Sequence, residues 1–183
     1  RGGMVLTKQE LAKDIDRAVF PNAQGGPLMH IIAAKAVSFG EAMLPEFIGY
    51  QKAIKSNAKV MAAELKNGGL RLVSGGTDNH MVLVDLTPMG LSGRQAEDIL
   101  SRVNIVVNRN AIPYDTKPPS VASGIRLGTP AVTSRGFGEP EMVLVSKLIL
   151  SALTNPSNKS VEKTICDEIQ ALTTRFPVPG FNK

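Results

Sequence analysis

Ser123-Gly124-Ile125-Arg126-Leu127-Gly128-Thr129 sets a single arginine inside a short apolar run bounded by glycines. The run reads as a buried strand edge. An unpaired guanidinium is costly to bury, so Arg126 is not there for packing alone. Two partners suit its planar fork of donors: a small carboxylate gripped bidentately in a dry pocket, or an internal Asp or Glu in a structural ion pair. The stretch alone leaves both open.

Upstream, residues 70–73 and 81–86 read as strands joined by the polar turn Gly75-Gly76-Thr77-Asp78-Asn79. Ser92 and Gln95, three apart, form a capping box for a helix to about Val103. Residues 105–107 are a further strand candidate, and a loop with Pro113, Pro118 and Pro119 leads into the arginine strand. Downstream, Pro140 opens a helix with Met142, Val145, Ile149 and Ala152 on one face. Asn155-Pro156-Ser157-Asn158 breaks it, and a last helix from about Ser160 carries Val161, Ile165, Ile169 and Leu172. Short loops between such elements predict a small α+β sandwich with helices on one face of a sheet.

The first third has a different texture. Residues 4–7 are a strand candidate, and Leu11, Ile15 and Ala18 give weak helical patterning. A loop rich in breakers, Phe20-Pro21-Asn22-Ala23-Gln24-Gly25-Gly26-Pro27, follows, and Pro27 suits the first turn of a helix. Leu28, Ile32, Ala36, Phe39 and Met43 then mark one apolar face. Pro45 kinks or restarts the helix, and Phe47, Tyr50, Ile54, Ala58, Met61 and Leu65 extend it to Gly68-Gly69. The two segments read as a long connector between parts of a larger protein.

Composition narrows the function classes. With 43% hydrophobic and 20% charged residues, the 183-residue chain reads as an ordinary soluble globular protein with a sizeable core. No apolar run approaches the roughly 20 residues needed to span a bilayer, so no membrane partner is expected. One cysteine, Cys166, precludes an internal disulfide and suits a reducing compartment; cytoplasm is the expected location. Flanked by Ile165 and Ile169, it reads as part of a half-buried helix face, not a nucleophile. His30 and His80 lack metal-ligand spacing, so no metal is expected. The +5 net charge comes from scattered Lys and Arg with 4% aromatics, which favours a small anionic ligand over nucleic acid. The start, Arg1-Gly2-Gly3 with Met4 fourth, reads as a cut from something longer.

Three further segments bear on chemistry. Gly25-Gly26 ahead of a helix allows close backbone approach to an anion, or is merely a turn. Residues 74–80 read as a hydrogen-bonded turn held by Asp78 and Asn79, with His80 in a local hydrogen bond. Residues 108–113 and 117–120 are stiff and rich in amide donors. They suit walls for a planar polar ligand, or a spacer loop.

Taken in order, these segments resemble serine hydroxymethyltransferases, pyridoxal-phosphate enzymes of the aspartate-aminotransferase fold type. The matching pieces are Arg1-Gly2-Gly3, Ala18-Val19-Phe20-Pro21, residues 24–30, 32–37, 74–80, Asn110-Ala111-Ile112-Pro113, residues 123–129 and Gly136-Phe137-Gly138. The resemblance covers residues 1 to about 145 and weakens toward the tail. It implies interconversion of serine and tetrahydrofolate with glycine and 5,10-methylenetetrahydrofolate, with pyridoxal 5′-phosphate as cofactor and tetrahydrofolate as co-substrate.

By the same resemblance Arg126 grips the amino-acid carboxylate. Gly25 and Gly26 reach the cofactor phosphate of a neighbouring subunit, which requires a homodimer or tetramer. Asn110, Pro118, Pro119 and Ser120 border the folate. The chain departs from the family pattern at Tyr114-Asp115-Thr116-Lys117, where Asn-Asp-Pro-Lys is usual, and at Ser120, where an aromatic is usual. The Schiff-base lysine, in a Thr-Thr-His-Lys context, should lie just upstream of Arg1. The aspartate partner of the pyridine nitrogen, a stacking histidine and an acid–base glutamate also precede it.

No catalytic residue is therefore expected in this chain, which alone should be inactive and lack its N-terminal large-domain partner. Expected are the end of the large cofactor domain and start of the connector over 1–44, a connector helix over 45–69, and a small C-terminal domain over 70–183. Phe39, Met43, Phe47 and Ile54 are expected on an open apolar surface. The alternative function is a noncatalytic amino-acid or folate binding module derived from that enzyme.

Overall fold

The computed structural model describes residues 2–180. It divides into two units, one up to Ile48 and one from Gly49 onward. In the first, α1 (Gln9–Arg17) and α2 (Met29–Ala42) flank a π-helical turn over Ala18–Ala23, broken at the extended Phe20 before a cis Phe20–Pro21 bond, so the expected loop is irregular only from Gln24 onward. Residues 4–7 are coil, not a strand, because no strand of the described residues runs beside them. Helix α2 begins at Met29, with Leu28 as its extended N-cap, so Pro27 precedes the helix instead of occupying its first turn. No described residue of this unit is buried; Leu28, Ile32, Phe39 and Met43 are exposed and Phe47 is half-buried.

Helix α3 (Pro45–Asn67) crosses the division. Ile54, Ala58, Met61 and Leu65, spaced by four, three and four, are all buried. Ile54 therefore belongs to the core and not to an open surface; at 3% exposure it sits where α3 has turned inward. Its carbonyl accepts the hydroxyl of buried Thr129 at 2.9 Å, and Asn57 donates to Thr133 Oγ1 and to the Phe137 carbonyl.

The second unit is α+β. Strands β1 (Arg71–Leu72), β2 (Met81–Asp85), β3 (Asn108–Asn110) and β4 (Gly124–Gly128) form one antiparallel sheet in the order β1-β2-β4-β3. Side chains alternate across a strand, so Val82, Val84, Ile125 and Leu127 enter the core while Leu83 and Arg126 take the opposite face. The core side is filled from α3, α4 (Gly93–Arg102), α6 (Glu139–Thr154) and α7 (Lys159–Arg175), through Leu65, Leu100, Met142, Ile149 and Ile165 among others. Each such side chain contributes on the order of 1.5–3 kcal/mol by leaving water. A short α5 (Pro130–Ser134) follows β4.

Two expectations are corrected here. β4 is an interior strand paired on both sides, not an edge. The ladder of the third strand starts at Asn108, after residues 105–107: Ile105 and Val107 are buried and Val106 is exposed, so the alternation reported packing without pairing. The Ser92–Gln95 capping box forms as expected. Helix α6 fills the expected stretch from Pro140 to the break at Asn155, and α7 starts one residue before the expected Ser160.

The start of α4 lies hard against β4. Gly93 donates to the Ala122 carbonyl at 2.9 Å, and a Cβ on Gly93 would overlap the Gly124 carbonyl. A Cβ on Gly124 would lie 2.5 Å from the Val84 carbonyl oxygen and 2.8 Å from Ile112 Cγ2. Gly124→Ala should therefore lower stability by about 1–3 kcal/mol, as overpacking does. Chemical denaturation checks this, and an unchanged midpoint would show that the strands separate at little cost.

Candidate functional site

The sheet face opposite the helices carries the polar cluster. Arg126 stands at the centre of β4, with Leu83 of β2 and Asn108 of β3 directly across from it. Its side chain is exposed on this face, in place of the dry, buried position expected from the apolar run. The reason is the strand period: Ile125 and Leu127 supply the apolar character on one side, and Arg126 points to the other. Arg126 Nη2 donates to Asn108 Oδ1 at 3.4 Å.

Arg126 makes no ion pair with any described residue. The nearest acid on its face in sequence register is the buried Asp85, which is taken by Arg71 at 2.8 Å and by the Thr87 amide at 2.8 Å. Arg109, one residue along β3, bonds Glu97 on α4. The guanidinium is left available for a ligand.

It faces a cavity of about 750 Å³ lined by Val73 to Asn79, Met81, Leu83, Asn110 and Arg126. The turn that forms one wall is held by Asn79 Oδ1, which accepts the Met81 amide at 2.8 Å, and by Thr77 Oγ1, which accepts the Asn79 amide at 3.2 Å. Asp78 makes no hydrogen bond among the described residues, so Thr77 has the role expected of it. The His80 side chain is exposed, and in place of the expected local bond its carbonyl accepts the amide of the distant Thr129 at 3.1 Å. Ser74 is held at φ 66°, in the left-handed region that a serine seldom adopts.

Asn110 lies on the same cavity, its amide donating to the Ala111 carbonyl at 2.8 Å. Pro118, Pro119 and Ser120 are exposed on the β3–β4 loop and do not line that cavity. The loop is organised by Asp115, which sequence reasoning noted only as part of a departure from pattern. Its Oδ2 accepts the amides of Ile112 at 3.2 Å and Ser123 at 2.8 Å. Its Oδ1 accepts the Lys117 amide at 2.9 Å and the Ser123 hydroxyl at 2.7 Å. These donors, led by the Lys117 amide, hold its pKa down from 3.8 to about 2.

Gly25 and Gly26 fall in the first unit. Both are exposed, and a Cβ on either would meet no atom within 4 Å. They line a second cavity of about 1370 Å³ with Gln24, Pro27, Arg17 and Phe20 among others. Among the described residues no cluster of His, Cys, Asp and Glu could hold a metal ion, and no helix is long and apolar enough to cross a membrane. Cys166 is half-buried on α7.

A family model described as serine hydroxymethyltransferase matches residues 2–149. The chain belongs to the serine hydroxymethyltransferase family. It is 51% identical to the serine hydroxymethyltransferase of Endomicrobium trichonymphae over 179 residues, 97% of this chain. It spans 43% of that relative's length and corresponds to its C-terminal part. The match takes in both units and every site residue named above, and it ends within α6. This serine hydroxymethyltransferase segment thus places two of the sequence-expected residues, Arg126 and Asn110, around one cavity.

The Asp115 clasp has a pH signature. A carboxylate whose pKa is lowered on folding stabilises the fold fully above its unfolded value, and that contribution is lost as pH falls through the folded value. The stability difference between the native chain and Asp115→Asn should therefore shrink as pH drops from 3.8 toward about 2. Denaturant titrations across that window measure it. A difference that is constant down to the lower value would show that the charge has no part in the clasp.

Proposed function

We propose that this chain is the C-terminal part of an enzyme that interconverts serine plus tetrahydrofolate with glycine plus 5,10-methylenetetrahydrofolate, a transferase of one-carbon and amino-acid metabolism. The observation that carries the reading is Arg126: a guanidinium without a carboxylate partner, on an open sheet face, over a polar cavity shared with Asn110. Such a fork fits an amino-acid carboxylate bidentately and fixes which way the rest of the molecule points. In this reading Arg126 orients serine or glycine, and Asn110 with Pro118, Pro119 and Ser120 borders the folate.

Pyridoxal 5′-phosphate would supply the electron sink for breaking bonds at the amino-acid α-carbon. The residues present fit one end of it. Neither Gly25 nor Gly26 is crowded by its own chain or held at positive φ, so nothing within these residues demands glycine there. A bare backbone is instead suited to a phosphate that approaches from outside, from a neighbouring subunit of a homodimer or tetramer. The cofactor-tethering lysine, the aspartate for the pyridine nitrogen, the stacking histidine and the acid–base glutamate belong to the part of the family's length that this chain does not span. On this reading the enzyme is of fold type I and cytoplasmic. Residues 1–44 end its large domain and begin the connector, 45–69 are the connector helix, and 70–183 form the small domain. No observation favours a noncatalytic binding module.

Arg126→Ala in the full-length enzyme should weaken glycine and serine binding at least about a hundredfold, since two charged hydrogen bonds are worth roughly 1.5–3 kcal/mol each. Cofactor content should stay near normal, and Lys should rescue poorly. Loss of thermal stability with amino-acid affinity retained would instead mark a structural arginine.

Gly26→Val should weaken cofactor retention and leave the small domain folded; unchanged retention in an intact dimer would reduce Gly25-Gly26 to a turn. The isolated 183-residue chain should turn over no serine and should self-associate through exposed Phe39 and Met43. Serine turnover by the purified chain would contradict the reading that its catalytic partners lie elsewhere.

A further inference from the structure

Asp115 sits in the middle of the β3–β4 loop and makes no contact with the cavity that holds Arg126. Its four donors nevertheless come from three separate places along the chain. The Ile112 amide lies two residues after Asn110. The Lys117 amide immediately precedes Pro118. The Ser123 amide and hydroxyl lie three residues before Arg126 on the entry to β4. One carboxylate thus ties together the exit of β3, the Pro118–Ser120 segment and the entry of β4.

Resting on the site reading given above, we propose that Asp115 is a positioning residue for folate. Its clasp holds the Pro118–Ser120 segment at a fixed offset from Arg126 and from Asn110, which its own pairing with Gly124 already places. The two ends of that connection differ in how else they are held. β4 is hydrogen-bonded on both sides, to β2 and to β3, so Arg126 keeps its place without the clasp. The loop from 111 to 122 has fewer anchors. Apart from the clasp, its backbone is tied by the Ala111 carbonyl accepting from the Asn110 side chain, by the Asp115 amide donating to the Ile112 carbonyl, by Pro118 accepting from Val121 and Ala122, and by Ala122 and Val121 accepting from Gly93 and Arg94. None of these bonds secures residues 116 and 117, which lead into Pro118. The clasp, through the Lys117 amide, is therefore what fixes the approach to Pro118, while Arg126 does not depend on it.

The chemistry of the clasp also says how it fails. Each carboxylate oxygen accepts two donors. An amide in place of Asp115 must turn its NH₂ toward one of those pairs. Facing Ile112 and Ser123 it would strand two backbone amides. Facing Lys117 and the Ser123 hydroxyl it strands only one, because the hydroxyl rotates to accept. Asp115→Asn thus chiefly frees Lys117, the residue before Pro118. Ser123→Ala removes a single donor and leaves the carboxylate with its three amides.

The test uses the full-length enzyme with cofactor bound, carrying Asp115→Asn or Ser123→Ala. Steady-state KM for tetrahydrofolate is measured together with the Kd for glycine by calorimetry without folate, and backbone hydrogen exchange is followed over 112–123. For Asp115→Asn the KM for tetrahydrofolate should rise about tenfold or more, as loss of a charge-assisted bond implies. The Kd for glycine should change less than about twofold, and Lys117 should lose exchange protection. Ser123→Ala should move the same quantities in the same direction by a smaller factor, and it decides the matter if the Asn variant fails to fold. An unchanged KM for tetrahydrofolate with the loop loosened would overturn the proposal, as would equal losses for folate and glycine. Arg126→Ala and Asn110→Ala serve as separate arms: if neither alters ligand binding, the site reading itself is at fault, whatever the Asp115 variants do.

Discussion

The antiparallel pairing of β4 between β2 and β3 is the interaction on which the sheet-bearing unit depends. With β2, β4 is one of the two interior strands of the four-stranded sheet, and each of its five residues faces a partner on β2. Its alternation settles both faces at once: Ile125 and Leu127 close the core against the helices, and Arg126 is left on the outer face by the same two-residue period. A one-residue slip would bury a guanidinium without a partner and expose two large apolar side chains, so the register is held by desolvation costs on both faces. Gly124 and Gly93 add a steric requirement at the start of the strand, where α4 and β2 leave no room for a Cβ.

Around that strand, several polar groups are already satisfied by partners within the chain. Asp85 is buried and bonded twice, Asp115 accepts four donors, and Asn57 and Thr129 tie α3 to the segment after β4. Arg126 is the cation on this face whose fork has only a 3.4 Å bond to Asn108. No buried side-chain atom among the described residues lacks a partner, and against that background the open guanidinium over the cavity is what supports the proposed role of Arg126.

Much of this was legible in the sequence, and the failures share a cause. Helices with strong local signals, such as the Ser92 capping box and the Pro140 start, lay where the residues put them. The sequence carries the periodic apolar face of α3, but periodicity does not say which end of a long helix meets the core, so it does not separate Ile54 from the open surface. The apolar run around Arg126 suggests burial only while the strand's two faces are not separated, since Ile125 and Leu127 lie on one face and Arg126 on the other. Residues 105–107 alternate like a strand, yet pairing depends on a distant neighbour that local pattern does not contain. Asp115 was missed for the same reason: its four donors become neighbours only once the loop closes. Tyr114, beside it, is fully exposed at φ 60°, and nothing in the structure explains its presence there.

The most direct test of the account is a structure of the full-length enzyme crystallised with glycine. Both carboxylate oxygens should lie within hydrogen-bond distance of the Arg126 guanidinium, inside the cavity walled by residues 73–79 and Asn110. Glycine held elsewhere, with Arg126 unengaged or paired to an acidic residue of the protein, would contradict it.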